Sequence, residues 1–214
     1  MHMKRLLNIL ILTLGIQTSY AQINFDSQIK AIEADELTFY GYDFSFFKLS
    51  EAKRYGEHLL PYISEWIEFM RIRKLDDELS NNLKKSVKSN YEYTNSLVRL
   101  IENSELVATS PHSTSNDSIQ PHLRKYELTE NSGVGLVIFV EGFKKLTNET
   151  SVFYVFFDIK TKDILMMDYV VNDDADGYGL TAYWGVGLRN NFRKYLRNVY
   201  VPRLQKYRDY TKRK

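Results

Sequence analysis

Three apolar runs, set apart by four-residue polar breaks, constrain this chain more than any other feature. They are "VGLVIFVEGFKKL" (134–146), "SVFYVFFDI" (151–159) and "ILMMDYVV" (164–171), separated by "TNET" and "KTKD". Runs this rich in β-branched and aromatic residues favour strands, and breaks this short favour hairpins. A fourth candidate, residues 123–130, precedes them across "NSG". If the two breaks close symmetric hairpins, Phe139 faces Asp158, Glu141 faces Phe156, Phe143 faces Tyr154, and Tyr154 neighbours Tyr169. Period-two alternation then gathers Phe139, Glu141, Phe143, Tyr154, Phe156, Asp158, Met167 and Tyr169 on one face. The other face carries Leu136, Ile138, Val140, Val155, Phe157, Ile159, Ile164, Met166 and Val170, and its aliphatic character marks it as the core. A one-residue slip of register would undo this assignment.

Helical patterns lie on either side of this block. Leu59, Leu60, Ile63, Trp66, Ile67 and Met70 recur at three- and four-residue spacing after the aromatic strand candidate "LTFYGYDFSFFKL" (37–49), with Ser50 placed to cap. Pro61 kinks that helix or resets its start. A second helical stretch spans about 76–104, with a break near Asn90 to Tyr93. Residues 108–122, "ATSPHSTSNDSIQPH", read as a mobile loop. From about Thr181 to the end the pattern is helical again, interrupted by Pro202. Strands and helices segregate along the chain. That predicts an α+β fold: an antiparallel β-meander of four to five strands packed by helices, with a C-terminal helix.

The N-terminus predicts export. Lys4 and Arg5 precede the apolar run Leu6–Ile16, and Ser19-Tyr20-Ala21 has the small-residue pattern of a signal-peptide cleavage site. Residues 1–21 are then a signal peptide and 22–214 a single domain. The chain has no cysteine, which excludes disulfides, thiolate metal sites and cysteine nucleophiles, and leaves no residue for lipoprotein acylation. Together these predict a periplasmic or secreted bacterial protein.

Charge divides sharply. Residues 23–188 hold 17 Lys+Arg against 26 Asp+Glu, whereas residues 189–214 hold 10 basic residues and one acid, Asp209. The basic segment interleaves tyrosines with cations, a combination that suits nucleic acid, but an exported protein rarely meets nucleic acid. Phe192, Leu196, Val199 and Leu204 form an apolar stripe, so the helix is expected to dock on the sheet with its cations outward. There they could touch an anionic membrane surface.

Motifs of chemistry are scarce. In "NDDADGYGL" (172–180), Asn172, Asp174, Asp176 and Gly177 match the first positions of a calcium loop. Its twelfth position is Tyr183, which has no carboxylate, and a strand precedes it where a helix is needed; no metal is expected. His112 and His122 in the polar loop fall short of a zinc ligand set. Serine-nucleophile, phosphate-loop and dinucleotide signatures are absent, and no cofactor is implied. The aromatic and acidic sheet face is therefore the candidate site. Phe139, Glu141, Tyr154, Asp158 and Tyr169 combine amphipathic rings with acceptors, a mixture suited to a sugar or a cationic peptide. The expected function is a non-enzymatic binding or interaction module of the envelope. The alternative is a hydrolase-like enzyme using a Glu141/Asp158 carboxylate pair.

Two segments, "YGYDFSFFKLSEAK" and "DILMMDYVVNDDADGYGLTAYW", resemble uncharacterised secreted proteins of Bacteroidetes-type bacteria. The resemblance implies a periplasmic or exported α/β protein. It brings no known activity, so it assigns no catalytic residue.

Overall fold

The computed structural model describes residues 27–50, 58–110 and 112–212. The signal-peptide assignment, and the start of a helix directly after Ser50, lie outside the described residues.

Strand β5 (Val134–Lys144) is the axis of the molecule. On one side it pairs antiparallel with β6 (Glu149–Asp158), which pairs antiparallel with β7 (Ile164–Asn172). On the other side two short strands follow it in succession, both parallel: β1 (Glu36–Asp43) beside its first half and β2 (Lys48–Ser50) beside its second. β3 (Ser86–Ser89) extends β1, and β4 (Val107–Ala108) extends β2, again parallel. The described residues thus form a seven-stranded mixed sheet with four parallel and two antiparallel pairings. This corrects the expected antiparallel meander of four to five strands: the fold is α/β, and only β5–β6–β7 is a meander. Residues 123–130, expected as a strand, belong to no strand.

Helices cover both faces. Residues 27–33 are helical (α1). The first face lies beneath α2 (Leu60–Ile72), α3 (Leu75–Leu83) and the C-terminal helices. These are α6 (Gly179–Tyr195) and α7 (Val201–Thr211), joined through a π-helical turn, Leu196–Tyr200. α2 carries Pro61 in its first turn, where proline needs no N–H. Asn103 Oδ1 accepts the Leu59 and Leu60 N–H groups at 2.9 and 3.0 Å in place of a local cap. The second face is closed by α5 (Asn116–Leu123), whose Ile119 and Leu123 join Tyr126 over Phe139, Phe153, Val155 and Phe157. Much of the stretch expected as a loop is therefore helix, capped by Ser115. Its Oγ accepts the Asp117 N–H at 3.3 Å. The expected helix 76–104 is in fact α3, then β3, then α4 (Glu92–Val98).

The meander's register also differs. The turn falls at residues 145–148, with Asn148 left-handed (φ 57°), so Phe143 faces Thr150 and not Tyr154. A bulge at Glu141 then adds one residue to β5, since Val140 faces Val152 while Gly142 faces Ser151. Phe139 consequently faces Phe153, five positions from the expected Asp158. Five is odd, so along Val134–Val140 β6 turns its other side to β5. Since the sheet is covered on both sides, its strands read as nearly continuous apolar runs, and alternation could not reveal the slip.

Candidate functional site

The five residues expected to form one binding face are dispersed. Phe139 is fully buried in the second-face core. Tyr154 points to the first face, where Tyr195 stacks on it at 3.8 Å and 4°, and its hydroxyl donates to Asn191 Oδ1 at 2.9 Å. Glu141, buried at its bulge, accepts the Thr114 N–H and the Tyr169 hydroxyl, each at 2.5 Å. Tyr169 remains 47% exposed and packs against Phe153 at 4.6 Å. Asp158 sits opposite Val134, binds Lys30 and caps the following turn through the Lys160 and Thr161 N–H groups, both at 2.9 Å. Its carboxylate is held below the usual range: burial opposes this, but the contacts to Lys30 and the turn amides outweigh it. Glu141 lies seven residues along β5 from Val134, about 23 Å at ~3.3 Å per residue. The carboxylate pair does not form, and with helices over Tyr154 and Phe156 the hydrolase reading loses its geometry. In the acidic loop Gly177 takes a positive φ, and so does Gly179, the first residue of α6. No cluster of three metal-ligating side chains occurs among the described residues.

The structure instead concentrates unusual chemistry at the carboxyl end of β1, where parallel α/β sheets characteristically open toward ligands. Between Phe39 and Tyr42, β1 advances three residues while β5 advances two, Leu136 to Ile138. Gly41 at φ +84° makes this bulge possible, and a Cβ there would lie 2.7 Å from Tyr91 Cδ1. The extra residue resets the alternation. Phe39 and Tyr42 both join the first-face core, Tyr40 joins the second, and Asp43 turns to the second face.

On the first face, Tyr42 forms part of the wall of a cleft between α2 and α4. The cleft, of about 350 Å3, is lined by Ile67, Met70, Leu75 and Val98, with Ser64, Glu68, Arg71, Asp76, Tyr91, Asn95 and Arg99 supplying polar groups. That volume lies within the range of small-molecule sites, as does the mixture of an apolar wall with few polar groups. Arg71 is committed to Glu68 through a fork at 2.7 and 2.6 Å. Asp76 accepts from Ser89 at 2.5 Å and from Tyr91. Tyr42 is only 6% exposed, yet its hydroxyl makes no hydrogen bond. Burial, with minor contributions from Tyr154, Tyr91 and nearby acids, pushes its pKa far up, so the phenol stays a neutral donor.

On the second face, Asp43 is fully buried and fully engaged. Oδ1 accepts the Ser45 N–H at 2.7 Å, while Oδ2 accepts from the Tyr126 hydroxyl at 2.5 Å and lies 3.0 Å from His122 Nε2. Burial alone would raise its pKa, but His122, Ser45 and Tyr126 together hold it below the usual carboxylate range. His122, with its side chain 22% exposed, is wedged against Phe46 at 4.9 Å and borders a groove with Ser45, Lys48 and Lys125.

Sequence reasoning missed both clusters. The available signal was Gly41 inside an aromatic strand, which marks a bulge or a close approach. His122 read as a chance loop histidine because its partner lies 79 residues away. Comparisons with protein-family models, curated proteins and solved structures return no match, so the reading of this region rests on its own geometry.

Proposed function

We propose that the chain is an exported, non-enzymatic binding protein of the bacterial envelope that holds a small amphipathic molecule in the α2–α4 cleft. One observation carries the binding reading: Tyr42, a lining residue of a cavity of ligand size, keeps a buried hydroxyl without a partner. A buried hydroxyl left unpaired costs about 1–3 kcal/mol, and a ligand acceptor would recover that loss on binding. Export rests on the N-terminal pattern, and mature protein from the envelope fraction should begin at Gln22 by mass spectrometry.

The cleft is tested by a thermal-shift screen of small amphipathic molecules against wild type and Ser64→Trp. Ser64 is exposed at the cleft lining, so an indole there closes the mouth without entering the core. Molecules that raise the melting temperature of wild type should leave the variant unmoved. A screen without stabilisers, or stabilisers equally effective on Ser64→Trp, would overturn the reading.

A further inference from the structure

The groups around the cleft differ in what they have left to offer. The two acids, Glu68 and Asp76, are occupied by Arg71 and by the Ser89 and Tyr91 hydroxyls, so neither awaits a cation. Among the described residues the unoccupied groups are the Arg99 guanidinium, a donor alone, and the neutral Asn95 amide and Ser64 and Tyr42 hydroxyls, which donate and accept. Asn95 and Arg99 lie four residues apart on and just beyond α4, hence on the same side, and neither side chain has a partner among the described residues. Tyr42 holds an unpaired hydroxyl closed to solvent, which a ligand reaches by displacing the side chains that cover it, and Ile67, Met70 and Val98 add apolar surface to the lining.

From this arrangement we infer that the ligand is an amphipathic monocarboxylic acid with a neutral acceptor, a hydroxyl or keto oxygen, at its far end. The inference rests on the cleft reading above and names its ligand class. A carboxylate matches the guanidinium fork of Arg99 in charge and shape, with the Asn95 amide as a second donor. A doubly charged phosphate would bring surplus charge beside Glu68 and Asp76. The charged end belongs at the exposed arginine, because an ion placed at buried Tyr42 would lose its hydration without a counter-charge. The neutral end then meets the phenol. At ~30 Å3 per water-sized group, the cavity admits about a dozen heavy atoms.

Titration calorimetry with ω-hydroxyoctanoate, octanoate and the methyl ester of ω-hydroxyoctanoate tests each half. For wild type the hydroxy acid should bind about tenfold more tightly than either analogue, one charge-assisted or buried hydrogen bond being worth that factor. Arg99→Gln should remove the advantage over the ester, leaving ester binding unchanged. Tyr42→Phe should remove the advantage over octanoate, leaving octanoate binding unchanged. An ester that binds wild type as tightly as the acid overturns the carboxylate assignment, though the cleft reading survives. Preferences that persist in Arg99→Gln and Tyr42→Phe overturn the assignment of those residues. If none of the three probes binds, the ligand class is wrong; Ser64-sensitive stabilisers from the screen would still uphold the cleft, and their absence would remove both.

Discussion

Tyr42 and Asp43 are neighbours in sequence, both buried, and their side chains sit on opposite faces of one sheet. Asp43 has three partners and Tyr42 has none. The difference separates two uses of a buried polar group. Asp43 ties α5 and the chain after it to the sheet, so its hydrogen bonds are part of folding. Tyr42 contributes to folding through its ring, and its hydroxyl takes part in no hydrogen bond.

The widest test of this contrast removes what covers the first face. Phe192, Tyr195, Leu196, Tyr200 and Leu204 are all buried there. At about 1.5–3 kcal/mol for each large apolar side chain, truncation after Asn191 removes as much as a typical domain's whole stability. The truncated chain should show no cooperative melting transition; a melting temperature near wild type would mean the helix is dispensable. The cations of this segment are partly consumed by the docking. Arg203 grips Asp168 with a fork at 2.6 and 2.5 Å, Arg193 binds Glu78, and Lys194 donates to the Val171 carbonyl at 2.8 Å. The basic composition thus serves the fold before it serves any surface.

Asp43 gives a pH-dependent effect. Its folded pKa lies below the unfolded value of about 3.9, so its stabilisation is present above that value and is lost as pH falls through the folded pKa. Asp43→Ala should cost about 3–5 kcal/mol near neutral pH, since it strands His122 and Tyr126. The gap from wild type should narrow as pH drops below about 4. Urea unfolding across pH 2–7 measures it, and a gap independent of pH would show that the charge on Asp43 contributes nothing.

The smallest and most discriminating pair applies one chemical change to both faces. Tyr126→Phe removes a hydrogen bond to a buried carboxylate and should cost about 1.5–3 kcal/mol. Tyr42→Phe removes a buried hydroxyl with no partner and should leave stability unchanged or raise it, by up to about 1–3 kcal/mol. Equal losses would erase the distinction between the faces and, with it, the reason for assigning a ligand to Tyr42.

The sequence revealed the elements with a long, regular period. β5, β6 and β7 were legible as strands and α6 as a helix; of the two readings of Pro61, a kink or a reset start, the structure has it in α2's first turn, and Phe192, Leu196 and Leu204 were legible as a docking stripe. In the parallel half, the strand expected at 37–49 holds most of β1 and β2, but the division between those two, and β3 and β4, were not legible. β2, β3 and β4 have three, four and two residues, too few to display any alternation, and they exist because β5, β1 and β2 respectively offer them an edge. α5 was hidden by its polar composition and by Pro121, yet Ile119 and Leu123 bury against the sheet and hold it helical. Of the five expected site residues, Glu141 and Tyr169 do meet, but as a closed structural contact. The bulges at Gly41 and Glu141 carried the error, because each shifts parity without changing composition.

The bulge in β1 makes one backbone angle a determinant of chemistry. Deleting Gly41 would remove the extra residue, and Tyr42 and Asp43, following Tyr40 in plain alternation, would keep their present faces. Replacing Gly41 by a residue that resists φ +84° would keep the count and press the strand toward a regular ladder. Tyr42 would then turn toward α5, and Asp43 would enter the apolar first face with no counter-ion. At this end of β1 a lost triplet is the milder lesion, and a single codon replacement is the one that exchanges the two faces' possessions.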